Sequence, residues 1–260
     1  MIFVRSMTKQ ITDFTLVEKQ DYGRSVLLRL RSDVTLPEIV AGQFVQVRVD
    51  DSPQTYLRRP ISIHDVDYQH NEIVLLVQKV GEGTRHLVSV EVGERINVIL
   101  PLGNGFSLPR KEEKVLLVGG GIGIAPLYYF AKVLKDSGVD VTLLLGGKTT
   151  SDLIRLVDYQ QLGKTFVTTE DGSLGEKGFV TMHSIWGQRC FDKIYVCGPK
   201  PMMKAVAKLA AEKNIWCEVS LENLMACGLG ACLCCVEDTV EGHVCVCKEG
   251  PVFNTRRLKW

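Results

Sequence analysis

The segment that decides the fold is Lys114–Pro126, with the sequence K-V-L-L-V-G-G-G-I-G-I-A-P. Its apolar run, Val115–Val118, predicts a buried strand, and the glycines after it predict a tight turn. Pro126 suits the first turn of a helix, where its missing N–H would be unpaired in any case. Downstream, apolar residues recur at the spacing of one helix face, at Leu127, Phe130, Ala131 and Leu134.

The same alternation of strand and helix continues toward the C-terminus. Further apolar runs, separated by helix-like segments, lie at Val141–Leu145, Thr165–Thr168 and Ile194–Cys197. A second helix face is predicted from Met202, Val206 and Leu209. Such alternation implies right-handed βαβ units, which build a doubly wound parallel sheet with helices on both faces.

Upstream of this zone, as far as about Phe106, short β-branched runs replace the helical pattern. In Phe44–Val49 three valines share one face and polar groups share the other, as in a half-buried strand. Turn residues separate similar runs at Ser25–Arg31, Ile61–His64, Ile73–Val80 and Arg95–Leu100. These intervals predict a small antiparallel β-barrel.

The overall fold class is therefore mixed β and α/β, in three parts. The predicted domains are a barrel over residues 1–106, a nucleotide-binding α/β domain over 107–217, and a small C-terminal domain over 218–260. The last is rich in cysteine and glycine and too short to build a core of its own.

The C-terminal part carries a metal-binding pattern. Of nine cysteines, seven fall between Cys217 and Cys247. Cys227, Cys232 and Cys235 have the C-x4-C-x2-C spacing of plant-type [2Fe–2S] ferredoxins. A fourth ligand is expected from a following hairpin. Cys234 competes with Cys235 for a place in this set, as Cys245 does with Cys247.

Two glycines support the interpretation of this segment as a cluster-binding loop, and two alternatives compete with it. Gly228 and Gly230 permit the unusual φ values with which a loop wraps a cluster closely. Structural zinc is an alternative, but zinc sites favour C-x2-C pairs. Buried free cysteines are a weaker alternative, because so many cysteines in so short a segment exceed ordinary usage.

Composition and charge restrict the class of protein. The chain has 260 residues, of which 45% are hydrophobic and 23% charged, with a formal net charge of +1. This balance gives no general attraction to nucleic acid or to an acidic membrane surface. Met1–Arg5 lacks the apolar run of a signal peptide, and glycines interrupt the uncharged stretch Val115–Ala131. We therefore expect a cytoplasmic protein.

Several short motifs fit flavin and nicotinamide nucleotides. Arg58–Ser62 lies at a strand start, where an arginine can clamp a pyrophosphate and a serine hydroxyl can face a flavin ring nitrogen. Gly81–Thr84 can present N–H groups to phosphate. Gly119–Pro126 resembles a nucleotide-binding turn, although Ile124 occupies the third glycine position of the usual fingerprint. A solvated turn, a plain loop or close packing of glycines would also explain each motif alone.

Taken in order, these motifs resemble the ferredoxin–NADP reductase superfamily. The matches are Arg59-Pro60-Ile61-Ser62 to the flavin signature, Gly119–Pro126 to the nucleotide loop, and Cys197-Gly198-Pro199 to a late strand end. Ile61 occupies the position at which many members have an aromatic residue. The resemblance implies nicotinamide nucleotide contacts at Gly120, Gly121, Gly123, Cys197, Gly198 and Pro199, with Cys197 near the place where flavin and nicotinamide meet.

The tail narrows the resemblance to the electron transfer subunits of type B dihydroorotate dehydrogenase. The matching residues are Cys227–Cys235 and Cys247–Phe253. The resemblance implies cluster ligands Cys227, Cys232, Cys235 and Cys247, with Cys234 and Cys245 as structural residues. It also implies FAD contacts at Arg59, Pro60, Ile61, Ser62, Gly83 and Thr84, and by the backbone of Leu76, Val77 and Gln78.

This resemblance implies three cofactors, FAD, a [2Fe–2S] cluster and NAD, with FMN in the partner. The partner would be the catalytic subunit that oxidises dihydroorotate in pyrimidine synthesis, in a heterotetramer of two copies of each chain. No acid–base pair is needed, because redox cofactors carry the chemistry. NAD is preferred to NADP because Gly146–Thr150 lacks an arginine, although Lys148 keeps the question open. The alternatives are the same module serving a sulfide dehydrogenase or hydrogenase, and a non-catalytic protein with structural zinc.

Overall fold

The computed structural model describes residues 8–260, so the prediction made from Met1–Arg5 lies outside the described residues. The chain divides into two units. The first contains the chain up to Gly105 together with Asn223–Glu237 and Val244–Pro251. The second contains Phe106–Glu222, Asp238–His243 and Val252–Trp260. Most of the cysteine-rich segment is thus grouped with the N-terminal part of the chain.

The first unit is built on a closed barrel of six antiparallel strands, as predicted. In chain order the strands are β1 (Gln10–Asp21), β2 (Ser25–Ser32), β3 (Phe44–Val47), β4 (Arg59–Asp67), β5 (Glu72–Gln78) and β6 (Arg95–Leu102). Around the barrel they follow the order β1-β2-β5-β4-β3-β6. One short helix, α1 (Glu82–Leu87), connects β5 to β6.

Two features of the barrel differ from the sequence prediction. The strand β1 was not predicted, because only Phe14 and Leu16 along it are buried and the alternation is weak. The prediction that β3 is half-buried is wrong, since all four of its residues are buried. On the face opposite the valines, Gln46 packs against the loop at Gly228, so the cysteine-rich segment covers the polar face.

The second unit contains a seven-stranded sheet in the order β10-β9-β8-β7-β11-β12-β15. Its strands are β7 (Val115–Gly120), β8 (Val141–Gly147), β9 (Lys164–Thr169), β10 (Glu176–Lys177), β11 (Lys193–Cys197), β12 (Trp216–Ser220) and β15 (Val252–Asn254). All pairings are parallel except that of β12 with β15. The doubly wound parallel sheet was predicted, whereas β10, β12 and the edge strand β15 were not.

Helices connect the parallel strands. They are α2 (Ala125–Asp136), α3 (Leu156–Leu162), α4 (Ile185–Gln188) and α5 (Lys200–Glu212), with 3-10 turns at Gly121–Ile124, Thr150–Asp152 and Val180–Met182. The connection through α2 leads from β7 to β8 on one side, and that through α5 leads from β11 to β12 on the other. Right-handed crossovers in opposite directions place these two helices on opposite faces of the sheet.

The two predicted helix faces had different outcomes. On α2 the predicted residues Leu127, Phe130, Ala131 and Leu134 are all fully buried. On α5 the buried face is Met203, Val206, Ala207 and Ala210, whereas Met202 and Leu209 are only half-buried. The α5 prediction was off by one residue because alanines, which a search for large apolar residues overlooks, carry half of the true face.

The remaining elements follow β12. A hairpin is formed by β13 (Val236–Thr239) and β14 (Gly242–Cys245), followed at once by the helical turn α6 (Val246–Glu249). A last 3-10 turn occupies Thr255–Arg257. Across residues 8–260, no helix combines the length and apolar character that a bilayer span requires.

Phe130 tests the core of the second unit. Its ring stacks on Phe106 and meets Tyr195 edge-on, both at a centroid distance of 4.8 Å. Phe130→Ala leaves a cavity among these rings, so we expect the free energy of unfolding to fall by about 3–5 kcal/mol. Denaturant unfolding measures the loss. Val157→Ala, at a position 66% exposed, is the control and should change stability by less than about 0.5 kcal/mol.

Candidate functional site

The cysteines predicted as cluster ligands lie close together in the first unit. Cys227, Cys232 and Cys235 share the loop that precedes β13, and Cys247 lies in α6. The fourth thiol is therefore not on the hairpin itself, as the sequence suggested, but on the helical turn that follows it. Cys235 and Cys247 are buried, Cys227 is half-buried and Cys232 is exposed.

Backbone N–H groups are directed at three of the four sulfur atoms. The N–H of Leu229 donates to the Cys227 Sγ at 3.3 Å, and that of Gly230 donates to the Cys247 Sγ at 3.1 Å. The N–H of Cys247 donates to the Cys235 Sγ at 3.3 Å. Such donors stabilise negative charge on sulfur, as thiolate ligands require.

Positive φ angles make this loop possible. Gly228 has φ 69° and Gly230 has φ 84°, as the sequence predicted. Residues with a Cβ rarely adopt this region of the backbone map. The two glycines turn the backbone so that the N–H groups between Cys227 and Ala231 point inward.

The four thiols differ in electrostatics. Burial acts to raise the pKa of Cys227, but N–H donors from Leu229, Cys232 and Ala231, with the Cys232 thiol, lower it to about 6. The pKa of Cys247 is raised to about 12 by burial and by its neighbour Cys235. The buried pair therefore needs a compensating positive charge to ionise, which bound iron provides.

The thiol of Cys232 helps to lower the pKa of Cys227, and the thiol of Cys235 helps to raise that of Cys247, so each of these two pairs of thiols shares one electrostatic environment. No three of the His, Cys, Asp or Glu side chains within residues 8–260 converge on the position of a single metal ion, so these thiols do not form a mononuclear site. A [2Fe–2S] cluster binds four cysteine ligands, two on each iron. The two pairs of thiols supply this number of ligands.

The other cysteines are placed differently. Cys234 is exposed, and its Sγ donates to the carbonyl oxygen of Leu224 at 3.7 Å, whereas the Cys245 Sγ donates to that of Gly230 at 4.0 Å. Cys217 lies on β12, where burial raises its pKa to about 12. It belongs to the sheet of the second unit, and the sequence had likewise placed it within the predicted α/β domain over 107–217. Cys190 is exposed.

The predicted flavin residues line a gap in the barrel. The ladder between β4 and β5 runs from Asp67 opposite Glu72 to Ile63 opposite Leu75, and stops there. Arg59–Ser62 and Leu76–Gln78 are the continuations of the two strands beyond that point. The side chains of Leu76 and Val77 are buried, so this part of β5 can contact a ligand only through its backbone groups.

Arg59 lies beside the start of α1, as a phosphate-binding pair would. A Cβ built on Gly83 would lie 3.2 Å from the Cδ of Arg59 and 2.9 Å from the Cγ2 of Thr55, so glycine is required for this approach. The hydroxyl of Thr84 instead accepts the N–H groups of Val80 and Gly81, each at 3.1 Å. Its side chain therefore caps α1.

The predicted nucleotide residues meet at the carboxyl ends of β7 and β11. A Cβ on Gly123 would lie 2.5 Å from both the Cα and the N of Gly198, so two backbones touch here. A Cβ on Gly120 would lie 2.4 Å from the Sδ of Met202 and 3.3 Å from the Cδ of Pro199. Close packing thus explains these two glycines, which was one of the alternatives open from the sequence.

Close packing does not explain Gly121. It has φ 54°, and the space beside it is open. The neighbouring strands β7 and β11 are where the strand order of the sheet reverses, which is the usual ligand-binding position in such sheets.

Cys197 ends β11 and is buried. Burial raises the pKa of its thiol well above the usual value, with the charge of Glu222 adding to the effect and Ser220 opposing it. The thiol therefore stays neutral, and a neutral thiol is a small apolar surface rather than a nucleophile.

Gln46 was missed by sequence reasoning. It is 0% exposed, and neither its Nε2 nor its Oε1 has a hydrogen-bond partner among the described residues. The available signal was a carboxamide between Val45 and Val47, on the strand face that the alternation of residues assigns to polar groups.

Comparison with known proteins identifies this arrangement. Residues 222–259 match the iron-sulfur cluster binding domain of dihydroorotate dehydrogenase B, and residues 117–208 match an oxidoreductase NAD-binding domain. A dihydroorotate dehydrogenase B (NAD(+)) electron transfer subunit from Shouchella clausii is 39% identical, over 95% of this chain and 97% of that protein. The chain belongs to this family. The member from Fusobacterium nucleatum is 40% identical, over 94% of this chain and 96% of its own length.

One solved structure supports the same family fold. An NADH-dependent reduced ferredoxin–NADP oxidoreductase studied for flavin-based electron bifurcation superposes with a TM-score of 0.86. It is 32% identical, and the match covers 95% of this chain and 90% of that chain. The fold of this family is therefore shared with an oxidoreductase that has a different name.

Serine substitutions test the ligand set of this family member. We expect Cys227→Ser, Cys232→Ser, Cys235→Ser and Cys247→Ser each to lose most of the bound iron, because each removes one of four thiolates. Cys234→Ser and Cys245→Ser are the matched controls and should keep about two irons per chain. Iron and acid-labile sulfide analysis measures the result. Iron loss in a control, or iron retained in Cys235→Ser, would contradict the assignment.

Proposed function

We propose that this protein is the electron transfer subunit of a dihydroorotate dehydrogenase B. Electrons from an FMN-containing catalytic subunit would pass through a [2Fe–2S] cluster and FAD to NAD⁺, in the oxidation of dihydroorotate to orotate for pyrimidine biosynthesis. The four thiols of the cysteine-rich loop and α6, three of them with backbone N–H donors on their sulfur atoms, carry this proposal. Relatives of the same length and 39–40% identity support the choice of partner.

A flavin is the suitable intermediary because it exchanges hydride with a nicotinamide and single electrons with an iron–sulfur cluster. The protein's own residues bind and orient these groups. Cys227, Cys232, Cys235 and Cys247 would hold the cluster, and the N–H groups of Leu229 and Gly230 would stabilise its negative charge.

The gap between β4 and β5 is the proposed FAD site. Arg59 would bind the pyrophosphate together with the backbone at Gly83, because a guanidinium pairs with phosphate through two parallel hydrogen bonds. Ser62 and the backbone of Leu76–Gln78 would face the flavin ring across the gap. Pro60 and Ile61 complete the strand edge, and Ile61 supplies an aliphatic contact where an aromatic ring would stack.

The NAD site is proposed at the ends of β7 and β11, formed by Gly120, Gly121, Gly123, Cys197, Gly198 and Pro199. The loop after β8 supports the proposed preference for NAD over NADP. The Asp152 carboxylate accepts the N–H groups of Lys148 at 2.9 Å and Thr149 at 3.2 Å. A carboxylate in this loop opposes the 2′-phosphate of NADP, which favours NAD.

The partner is proposed to dock over the cysteine-rich loop, in a heterotetramer of two copies of each subunit. Three leucines of this loop are exposed, Leu224 by 87%, Leu229 by 46% and Leu233 by 66%. Exposed apolar side chains grouped in one segment indicate an interaction surface. Docking here would bring the partner's flavin toward the exposed Cys232 and the half-buried Cys227.

Visible spectroscopy tests the proposed function. The purified protein should show flavin bands with a reddish cluster shoulder, and anaerobic NADH should bleach both, because hydride reaches the flavin and one electron moves on to the cluster. Cys235→Ser is the control and should keep only the flavin bleaching. Adding the catalytic subunit should give dihydroorotate-dependent reduction of NAD⁺. A colourless, zinc-rich protein after anaerobic reconstitution would contradict the proposal.

The docking surface is tested with Leu229→Asp combined with Leu233→Asp. Each leucine buried in an interface contributes about 1.5–3 kcal/mol, so we expect the Kd for the catalytic subunit to rise more than about tenfold. Calorimetry measures the affinity, and light scattering measures the mass of the complex. Unchanged flavin and cluster spectra show that the sites are intact. Val157→Asp, on an exposed position of α3, should bind normally, and equal affinity of both variants would place the interface elsewhere.

A further inference from the structure

Gln46 occupies the middle of β3 and is fully buried. Both polar atoms of its side chain lack a hydrogen-bond partner in the described chain. Its cross-strand neighbours are Pro60 on β4 and Ile99 on β6, neither of which has a polar side chain to offer. A methionine would fill the same space without the cost of desolvating an amide. The carboxamide therefore needs a partner that the polypeptide does not provide.

The side chain is directed at the cysteine-rich loop. A Cβ built on Gly228 would lie 2.7 Å from the Cγ and 2.9 Å from the Nε2 of Gln46. The amide thus packs against the backbone one residue after Cys227, within the turn whose N–H groups bond the Cys227 and Cys247 sulfur atoms. Any side chain at position 228 would fill the space between the amide and the loop.

The turn that Gln46 contacts follows the proposed ligand Cys227 directly, and its N–H groups donate to the sulfur atoms of Cys227 and Cys247. A [2Fe–2S] cluster held by four thiolates is rich in sulfur acceptors and carries negative charge. We infer that Gln46 is a positioning residue whose Nε2 donates an N–H···S hydrogen bond, past Gly228, to the bound cluster. This inference rests on the proposed function, because it requires that the loop hold a cluster.

Such a bond sets how readily the cluster accepts an electron. Reduction adds one negative charge, and hydrogen bonds to the sulfur atoms stabilise the more negative form. Gln46 therefore raises the reduction potential of the cluster. It favours delivery of electrons from the partner subunit into this chain, and it does so from a barrel strand rather than from the loop itself.

The test is an EPR-monitored redox titration of the holoprotein. Gln46→Met keeps the size of the side chain and removes the donor, so at a fixed potential the ratio of reduced to oxidised cluster should fall about tenfold, which is 59 mV for a one-electron couple. Gln46→Leu also lacks the amide donor and adds no charge, so its ratio should fall by a similar factor. Gln10→Met is the control, because the Gln10 Oε1 is also buried without a partner but lies on β1. The cluster potential of Gln10→Met should be unchanged, and so should the flavin potential of every variant.

A second measurement uses the wild-type protein and does not depend on any variant folding. With glutamine labelled isotopically at the amide nitrogen, pulsed EPR of the reduced cluster should show one weakly coupled nitrogen. An absent coupling, or an unchanged cluster potential in Gln46→Met, would overturn the inference while leaving the proposed function intact. A shift of the flavin potential instead would assign the amide to the flavin. A wild-type protein without a [2Fe–2S] signal would overturn both.

Discussion

The structure depends on bringing four thiols together in a loop that cannot form a core of its own. Their mutual repulsion on ionisation is opposed by the N–H groups of Leu229, Gly230 and Cys247, each aimed at a sulfur atom. Those N–H groups converge only because Gly228 and Gly230 adopt positive φ angles. The geometry of the backbone, more than that of the side chains, therefore defines the cluster site.

The barrel has two roles that follow from this constraint. Its strands β4 and β5 separate beyond Ile63 and Leu75, which leaves a gap for the flavin. Its strand β3 turns Gln46 toward the cysteine-rich loop and is buried beneath it. One small barrel thus supports both redox groups, and a substitution in β3 is expected to affect the cluster although no ligand lies on that strand.

In the second unit, the close approach of two backbone segments defines the proposed nucleotide site. Gly123 packs against Gly198 so tightly that neither position accepts a side chain. This contact fixes the ends of β7 and β11 relative to each other. The open surface that results beside Gly121 is shaped by packing first, and its use by a nucleotide follows from that shape.

The sequence predicts those parts of the fold whose signals are local. The run Val115–Val118, the face of α2 and the positive φ at Gly228 and Gly230 depend on neighbouring residues alone, and all were predicted. The strand β12 was missed because its sequence mixes an exposed tryptophan with a buried glutamate, Glu218, whose carboxylate accepts the N–H and hydroxyl of Ser107.

The burial of Gln46 was not predictable in the same way, because it is imposed by a segment about 180 positions away in the chain. Periodicity shows that a strand has two faces, but it does not show what will cover each face. For the cysteines, spacing singled out Cys227, Cys232 and Cys235, whereas the fourth thiol lies on α6, which the spacing alone does not locate.

The placement of α6 also governs the order of events during synthesis. The barrel strands are complete once the ribosome has passed Leu102, yet Cys247 and the segment that packs on β3 emerge more than a hundred residues later. Until then the Phe44 and Gln46 face of β3 has no cover. Since domains form as the chain is translated, the barrel strands are made before the segment that covers β3, and the set of four thiols is complete only after Cys247 has emerged.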